Sequence, residues 1–222
     1  MRAQQLHWQS GNGWSQNLPN DDADLILYFG ARRSLADGAR YHELRGMFPA
    51  ANIIGCSTGG QIHDNDVEDE TIVALAVHFD ATTLRVVNQP VPSIGDSRGC
   101  GEAIGHALAH EELAGIFILS DGLNVNGSEL VKGISDAVGC QVPLTGGLAG
   151  DGVEFDQTLV GANGVPSTHA IAAVGFYGKA IRFGHGSAGG WDTFGPQRRI
   201  NRSNGNVLLE LDGEPALDLY ER

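Results

Sequence analysis

Positive charge is scarce in this chain: 14 Lys and Arg stand against 27 Asp and Glu, a net charge of −13. Gripping a phosphate backbone or an anionic lipid surface requires a basic face, so nucleic acid and membrane are excluded as partners. Cysteine is also sparse. Cys56, Cys100 and Cys140 leave one thiol over in any disulfide framework, and their spacing matches no zinc pattern. They read as small apolar residues in a reducing compartment. The longest apolar runs, Ile72 to Val77 and Ala170 to Val174, fall far short of a membrane span. The N-terminus, with Gln4, Gln5, Trp8 and Asn17, has no apolar segment of the kind a secretory signal needs. Together these absences predict a soluble, cytoplasmic protein. Two motifs are missing as well. There is no Walker A sequence, and the acidic run Asp64, Asp66, Glu68, Asp69, Glu70 lacks the central glycine and distal glutamate of a calcium loop. That run reads as a solvated loop.

Glycine, by contrast, is abundant, with 32 among 222 residues and no collagen-like period. Three glycine-rich segments each follow an apolar, strand-like run. They are Gly55-Cys56-Ser57-Thr58-Gly59-Gly60, Gly146-Gly147-Leu148-Ala149-Gly150-Asp151, and Gly184-His185-Gly186-Ser187-Ala188-Gly189-Gly190-Trp191. Glycine at a strand end lets the backbone approach a neighbour or a ligand closely, so the three turns are expected to converge on one pocket.

Residues 1–23 are polar and read as an irregular lead-in. Leu25 to Phe29 reads as a buried strand, followed by a helix from Ser34 through Met47 that ends at Pro49, and a strand at Ile53-Ile54. Thr71–Phe79 and Leu84–Val87 are expected to pair as a hairpin. A helix over about Arg98 to His110 follows. Gly115–Leu119, a helix from Asn126 through Val138, a short strand closed by Leu144, and strands at Thr158–Gly161, Ala170–Tyr177 and Ala180–Phe183 repeat the order. The halves align at a constant offset: Leu25 on Ile116, Ile53 on Leu144, Gly55 on Gly146, Gly59 on Gly150. This reads as a duplicated β-α-β-β unit, with pseudo-repeats at about 24–95 and 96–190. Hairpins rule out a purely parallel sheet. Two mixed sheets packed face to face with helices outside, an αββα sandwich, would bury both apolar faces. Beyond residue 203, Val207–Leu211 reads as a strand, and Pro215 opens a helix cut off by the chain end at Arg222. A stub that short is marginal without packing and implies that residues 204–222 begin a further, truncated region.

The three glycine segments, with Ile54, Gln61, Ile62 and Asp192 at their borders, and the closing Leu211-Asp212-Gly213-Glu214-Pro215-Ala216-Leu217 resemble the FIST family. The likeness covers nearly the whole chain after residue 23. It implies an N-terminal sensory domain over 24–203 that binds a small ligand, with amino acids proposed. It also implies a signalling partner such as a histidine kinase or a cyclic-di-GMP enzyme. In some members the ligand is haem, reporting nitric oxide. The resemblance carries no catalytic residues across.

The residues set against these functions are few. Gly55-Cys56-Ser57-Thr58-Gly59 matches the G-x-S-x-G nucleophile elbow, and Asp151 and His185 follow in hydrolase order. The required helix does not follow, because Gln61-Ile62-His63-Asp64-Asn65-Asp66 is polar. A hydrolase using Ser57 or Cys56 is therefore the second alternative, and no catalytic residue is assigned. Gly184 to Gly189 matches G-x-G-x-x-G but opens no helix, so it binds no dinucleotide. His185, among glycines, is the candidate haem ligand and the only metal ligand assigned. His106 and His110 share a helical face at i,i+4 and read as solvated. Arg32, Arg33, Arg198, Arg199 and Arg202, beside glycine turns in an acidic protein, are candidate carboxylate clamps. The ligand-binding set is Cys56, Ser57, Thr58, Ser120, Asp121, Gly147, Asp151, His185, Ser187, Trp191 and Arg198. The expected product is a ligand-dependent signal from a non-enzymatic domain. Its ligand is an amino acid or similar metabolite, with haem as the alternative, and a homodimer is compatible with the sequence.

Overall fold

The computed structural model describes residues 1–15, 22–186, 189, 192–193 and 195–221. Its elements in chain order are β1 (Arg2–Gln9), β2 (Gly13–Trp14), β3 (Leu25–Gly30), α1 (Arg32–Leu35), α2 (Ala39–Met47), β4 (Asn52–Ser57), β5 (Gln61–His63), β6 (Asp66–Glu68), β7 (Ile72–His78), β8 (Thr83–Pro90), α3 (Ser97–Leu108), β9 (Leu113–Ser120), α4 (Gly127–Val138), β10 (Leu144–Leu148), β11 (Val160–Ala162) and β12 (Ala170–Tyr177). These belong to one compact unit, Met1–Gly184. A second unit, His185–Arg222, holds a small antiparallel sheet of β13 (Ile200–Asn204), β14 (Val207–Leu211) and β15 (Glu214–Pro215), then α5 (Ala216–Tyr220).

The first unit is an αββα sandwich. One sheet has the order β11-β4-β3-β7-β1-β2, the other β10-β9-β12-β8. Strand alternation gives each sheet two apolar faces. Leu6, Ile26, Tyr28, Ile53, Ile72 and Ala74 of the first sheet pack against Leu35, Tyr41, Leu44 and Phe48 of the α1–α2 layer. The opposite face, with Leu25, Ile54, Cys56 and Val77, meets Leu119, Ala172, Val174 and Phe176 of the second sheet. The second sheet's outer face, with Ile116, Ile118, Ile171 and Ala173, is covered by Cys100, Ile104 and Leu108 of α3 and by Leu130 and Ile134 of α4. The first helical region is interrupted at Gly38, which takes φ 72° and starts α2 afresh. Asn126 caps α4, its side chain accepting the Glu129 N–H.

The parallel pairs β3–β4 and β9–β10 are each joined through helices and flanked by an antiparallel partner, β7 or β12. The order β4-β3-β7-β1 in one sheet therefore matches β10-β9-β12-β8 in the other.

Three local expectations are corrected. Residues 2–9 are not irregular, because β1 pairs with β7 from Arg2↔His78 to Trp8↔Ile72. Only Leu6 and Trp8 are buried in it, which is why its sequence looks polar. The 71–79 and 84–87 segments do not form a hairpin. β7 stays in the first sheet while β8 pairs with β12 in the second, so the chain changes sheets between them. Ala180–Phe183 forms no strand, although Ile181 and Phe183 still pack on the inter-sheet core.

Gly55 faces Tyr28 in the β3–β4 register. A Cβ there would fall 2.3 Å from the Tyr28 carbonyl oxygen and 2.4 Å from its ring. Gly55→Ala is therefore expected to lower the unfolding free energy by about 1–3 kcal/mol, as overpacked cores do, measured by chemical denaturation against Gly46→Ala, whose Cβ would meet nothing within 4 Å.

Candidate functional site

In open α/β sheets, ligand clefts form beyond the carboxyl ends of parallel strands. Here β3 and β4 end at Gly30 and Ser57, and β9 and β10 at Ser120 and Leu148. The loops leaving them are tied together by main chain. Thr58 N–H donates to the Gly30 carbonyl at 2.9 Å, Gly150 N–H to Ser57 at 2.9 Å, and Ala149 N–H to Ser120 at 2.8 Å. The approach is so close at Gly122 that a Cβ would lie 2.0 Å from the Ala149 carbonyl oxygen. The first two glycine segments thus do converge. Of the third, Gly184 closes the first unit, His185, Gly186 and Gly189 belong to the second, and the rest lies outside the described residues.

Beside this junction lies a cleft of about 320 Å³. It is lined by Arg32 and Arg33 after β3, by Thr58, Gly59 and Gln61, by Asp69 and Glu70, and by Asp151 to Glu154. Both guanidinium groups reach Glu154 across it, and Arg32 Nη1 also meets Asp156 at 3.3 Å. The Arg32 Nε is buried and has no hydrogen-bond partner among the described residues. Gln61 is held rigidly: its amide donates to Thr58 Oγ1 at 2.9 Å, and its oxygen accepts the Thr71 N–H at 3.3 Å.

Of the residues expected to contact ligand, Thr58 and Asp151 line this cleft. The Asp151 carboxylate turns back on its own loop, accepting N–H groups of Phe155, Asp156 and Gln157 at 3.2, 2.7 and 3.0 Å. Burial acts to raise its pKa, but these bonds and the Arg32 charge prevail and hold it below the usual carboxylate range.

Asp121 is fully buried and knits the end of β9 instead. It accepts from the N–H groups of Leu123, Asn124 and His169 at 2.8, 2.9 and 2.8 Å. Burial again pushes upward, and the hydrogen bonds outweigh it, so its pKa is lowered. Ser57 is fully buried, its Oγ accepting the Leu159 N–H at 2.9 Å. A sealed hydroxyl in that role is poorly placed to attack a substrate. Cys56 is buried between the sheets, and burial pushes its thiol up to about 12, far from the thiolate that nucleophilic attack needs.

Ser120 is buried, its hydroxyl unpartnered among the described residues, and Gly147 is exposed on β10. In the second unit His185 is exposed, and Arg198 pairs with Asp212 at 3.3 Å. Ser187 and Trp191 lie outside the described residues. His106 bonds the Glu102 carbonyl, and His110 accepts from the Glu112 N–H beyond the helix end.

Haem needs an apolar slot and an axial ligand. The cleft lining has no histidine, cysteine or methionine to serve as axial ligand, and it carries Arg32, Arg33, Asp69, Glu70, Asp151 and Glu154 where haem needs an apolar slot, so these residues do not fit that group.

Sequence reading missed Glu154, Gln61, Asp69 and Glu70 as cleft residues. The last two sat inside an acidic run that looked merely solvated. The one available signal was the Arg32-Arg33 pair, which demands acidic company in so acidic a chain.

Residues 24–214 match the family model described as FIST N domain. Over 199 residues the chain is 25% identical to an uncharacterized protein of Methanocaldococcus jannaschii, covering 85% of this chain and 37% of the relative. The chain thus spans little more than a third of that relative's length. Among the described residues no helix is long and apolar enough to cross a membrane.

Asp121→Asn replaces one acceptor oxygen by a donor facing other donors. Hydrogen bonds to a charged group contribute about 1.5–3 kcal/mol, and a loss of about that size is expected at pH 7. Because folding lowers this pKa, the contribution is complete above the unfolded value near 3.9 and is lost as pH falls through the folded value. Denaturation curves of the two proteins should therefore converge in acid.

Proposed function

Because the chain belongs to the FIST N domain family, whose members are signal-transduction sensory domains, we propose that the Arg32–Glu154 cleft binds a small carboxylate metabolite, an amino acid or a close analogue. The carrying observation is that Arg32 and Arg33 are both held by one carboxylate of the protein's own 151–157 loop. A guanidinium fork binds carboxylates bidentately, so a ligand carboxylate competes with Glu154 for the same donors. Asp69 and Glu70, also in the lining, suit a ligand ammonium, so the cleft carries groups of both signs as a zwitterion requires. Glu154 and Asp156, once displaced, release the loop that they anchor. That release gives a ligand-dependent change, the differential interaction that any signal to a partner protein needs. The partner is a signalling protein of the kind the resemblance implies.

The test is a thermal-shift screen of L-amino acids and small dicarboxylates, followed by calorimetric titration of hits. Arg32→Ala is expected to weaken binding roughly 10–100-fold, the equivalent of a charge-assisted hydrogen bond. Glu154→Gln, which removes the competitor, should tighten it. Binding that is indifferent to Arg32→Ala, or tightened by no loss of Glu154, would contradict the reading.

A further inference from the structure

Three metal-ligating side chains converge away from the cleft. His7 stands on β1, and His63 and Glu68 stand on the β5–β6 hairpin. Each can present one donor atom so that all three lie within 4.8 Å of one another. We propose that His7, His63 and Glu68 form a site for a divalent transition ion of the zinc type, which fastens the hairpin to the edge of the first sheet.

The register explains the convergence. In the hairpin Gln61 opposes Glu68 and His63 opposes Asp66, so His63 and Glu68 share one face on a diagonal, close enough for long side chains to meet. Ile62 and Val67 occupy the other face and are exposed, at 68% and 73%. The hairpin therefore turns its apolar residues to solvent and its imidazole and carboxylate toward β1. Two strands of three residues are marginal alone, and this pair needs a polar anchor. On β1, Leu6 and Trp8 point into the core while His7 and Gln9 take the opposite face.

The donor separations bracket those of an ion site. His7 Nε2 is 2.9 Å from a Glu68 oxygen, yet it is buried and makes no hydrogen bond among the described residues. The His7 and His63 rings stack at 4.0 Å with 16° between planes, so one ring must turn for both in-plane nitrogen lone pairs to reach a common ion. His63 Nδ1 lies 4.0 Å from the other Glu68 oxygen. Zinc bonds of about 2.0–2.2 Å to nitrogen and oxygen set donors roughly 3.3–3.6 Å apart, between these two separations. Gln9 Nε2, 3.4 Å from Glu68 Oε2, is the outer-shell donor that orients such a carboxylate. Two histidines and one carboxylate with a position left for water is a recurrent zinc donor set. His7 lies outside the 24–214 family match, so the site is a property of this chain's β1, and it does not depend on the cleft's ligand.

The full chain, stripped with chelator and dialysed, would be titrated with Zn²⁺ by calorimetry and with Co²⁺ by visible absorption. One ion per chain is expected, with Co²⁺ bands of a low-coordinate nitrogen–oxygen site. His63→Ala and Glu68→Gln should each weaken binding at least about tenfold, and His106→Ala should not. A readout without variants guards against misfolding: in ring ¹⁵N spectra of the wild-type protein, Zn²⁺ should shift His7 and His63 among the 8 histidines. Absence of stoichiometric binding, or ring shifts confined to other histidines, would overturn the proposal.

Discussion

The two large sheets of the first unit are apolar on both faces, and that constraint organises the rest of that unit. Each sheet must find helices on one side and the other sheet on the other, which yields four layers and one inter-sheet core of Leu25, Ile54, Cys56, Leu119, Val174 and Phe176. Because the sheets press together, the loops at their parallel strand ends are brought into hydrogen-bonding range, as the Gly150–Ser57 contact at 2.9 Å shows. The cleft exists because Arg32, leaving β3, and Glu154, beyond β10, are carried to the same rim by that packing.

The same packing separates structural from available polar groups. Ser57 and Asp121 have their hydrogen-bonding capacity consumed by neighbouring main chain, which is what permits a serine and a carboxylate to be fully buried. The arginines are different. Their partners sit on exposed loop carboxylates, where an ion pair contributes little and exchange with a ligand of the same charge is easy. A chain with net charge −13 places two adjacent guanidinium groups in a cleft, among the carboxylates of Asp69, Glu70, Asp151 and Glu154.

Much of the fold was legible. Buried strands such as Leu25–Gly30 and Ala170–Tyr177 are continuous apolar runs, and the helix over 127–138 carries its own cap. The αββα layering was expected from mixed strands with two apolar faces to bury, although the hairpin of 71–79 with 84–87 that supported it does not form. β1 was not legible, because an edge strand that buries only Leu6 and Trp8 is polar at most positions. The change of sheet between β7 and β8 was not legible either, since a short loop looks alike whether its strands pair or part. At the candidate cleft, residues of the first two glycine turns line the cavity, and Glu154, Asp69 and Glu70 join them without having been singled out from sequence. Small polar side chains at strand ends look equally suited to ligand or to main chain, and only the fold decides which they meet.

The central claim is that Arg32 and Arg33 exchange Glu154 for a ligand carboxylate. The most direct test is an NMR titration that follows the Arg32 Nε–Hε resonance together with the side-chain carboxyl of Glu154 as a stabilising amino acid is added. The account predicts that both signals move saturably with one dissociation constant, the Glu154 carboxyl toward its free, solvated position. A ligand that binds while both resonances stay fixed would contradict it.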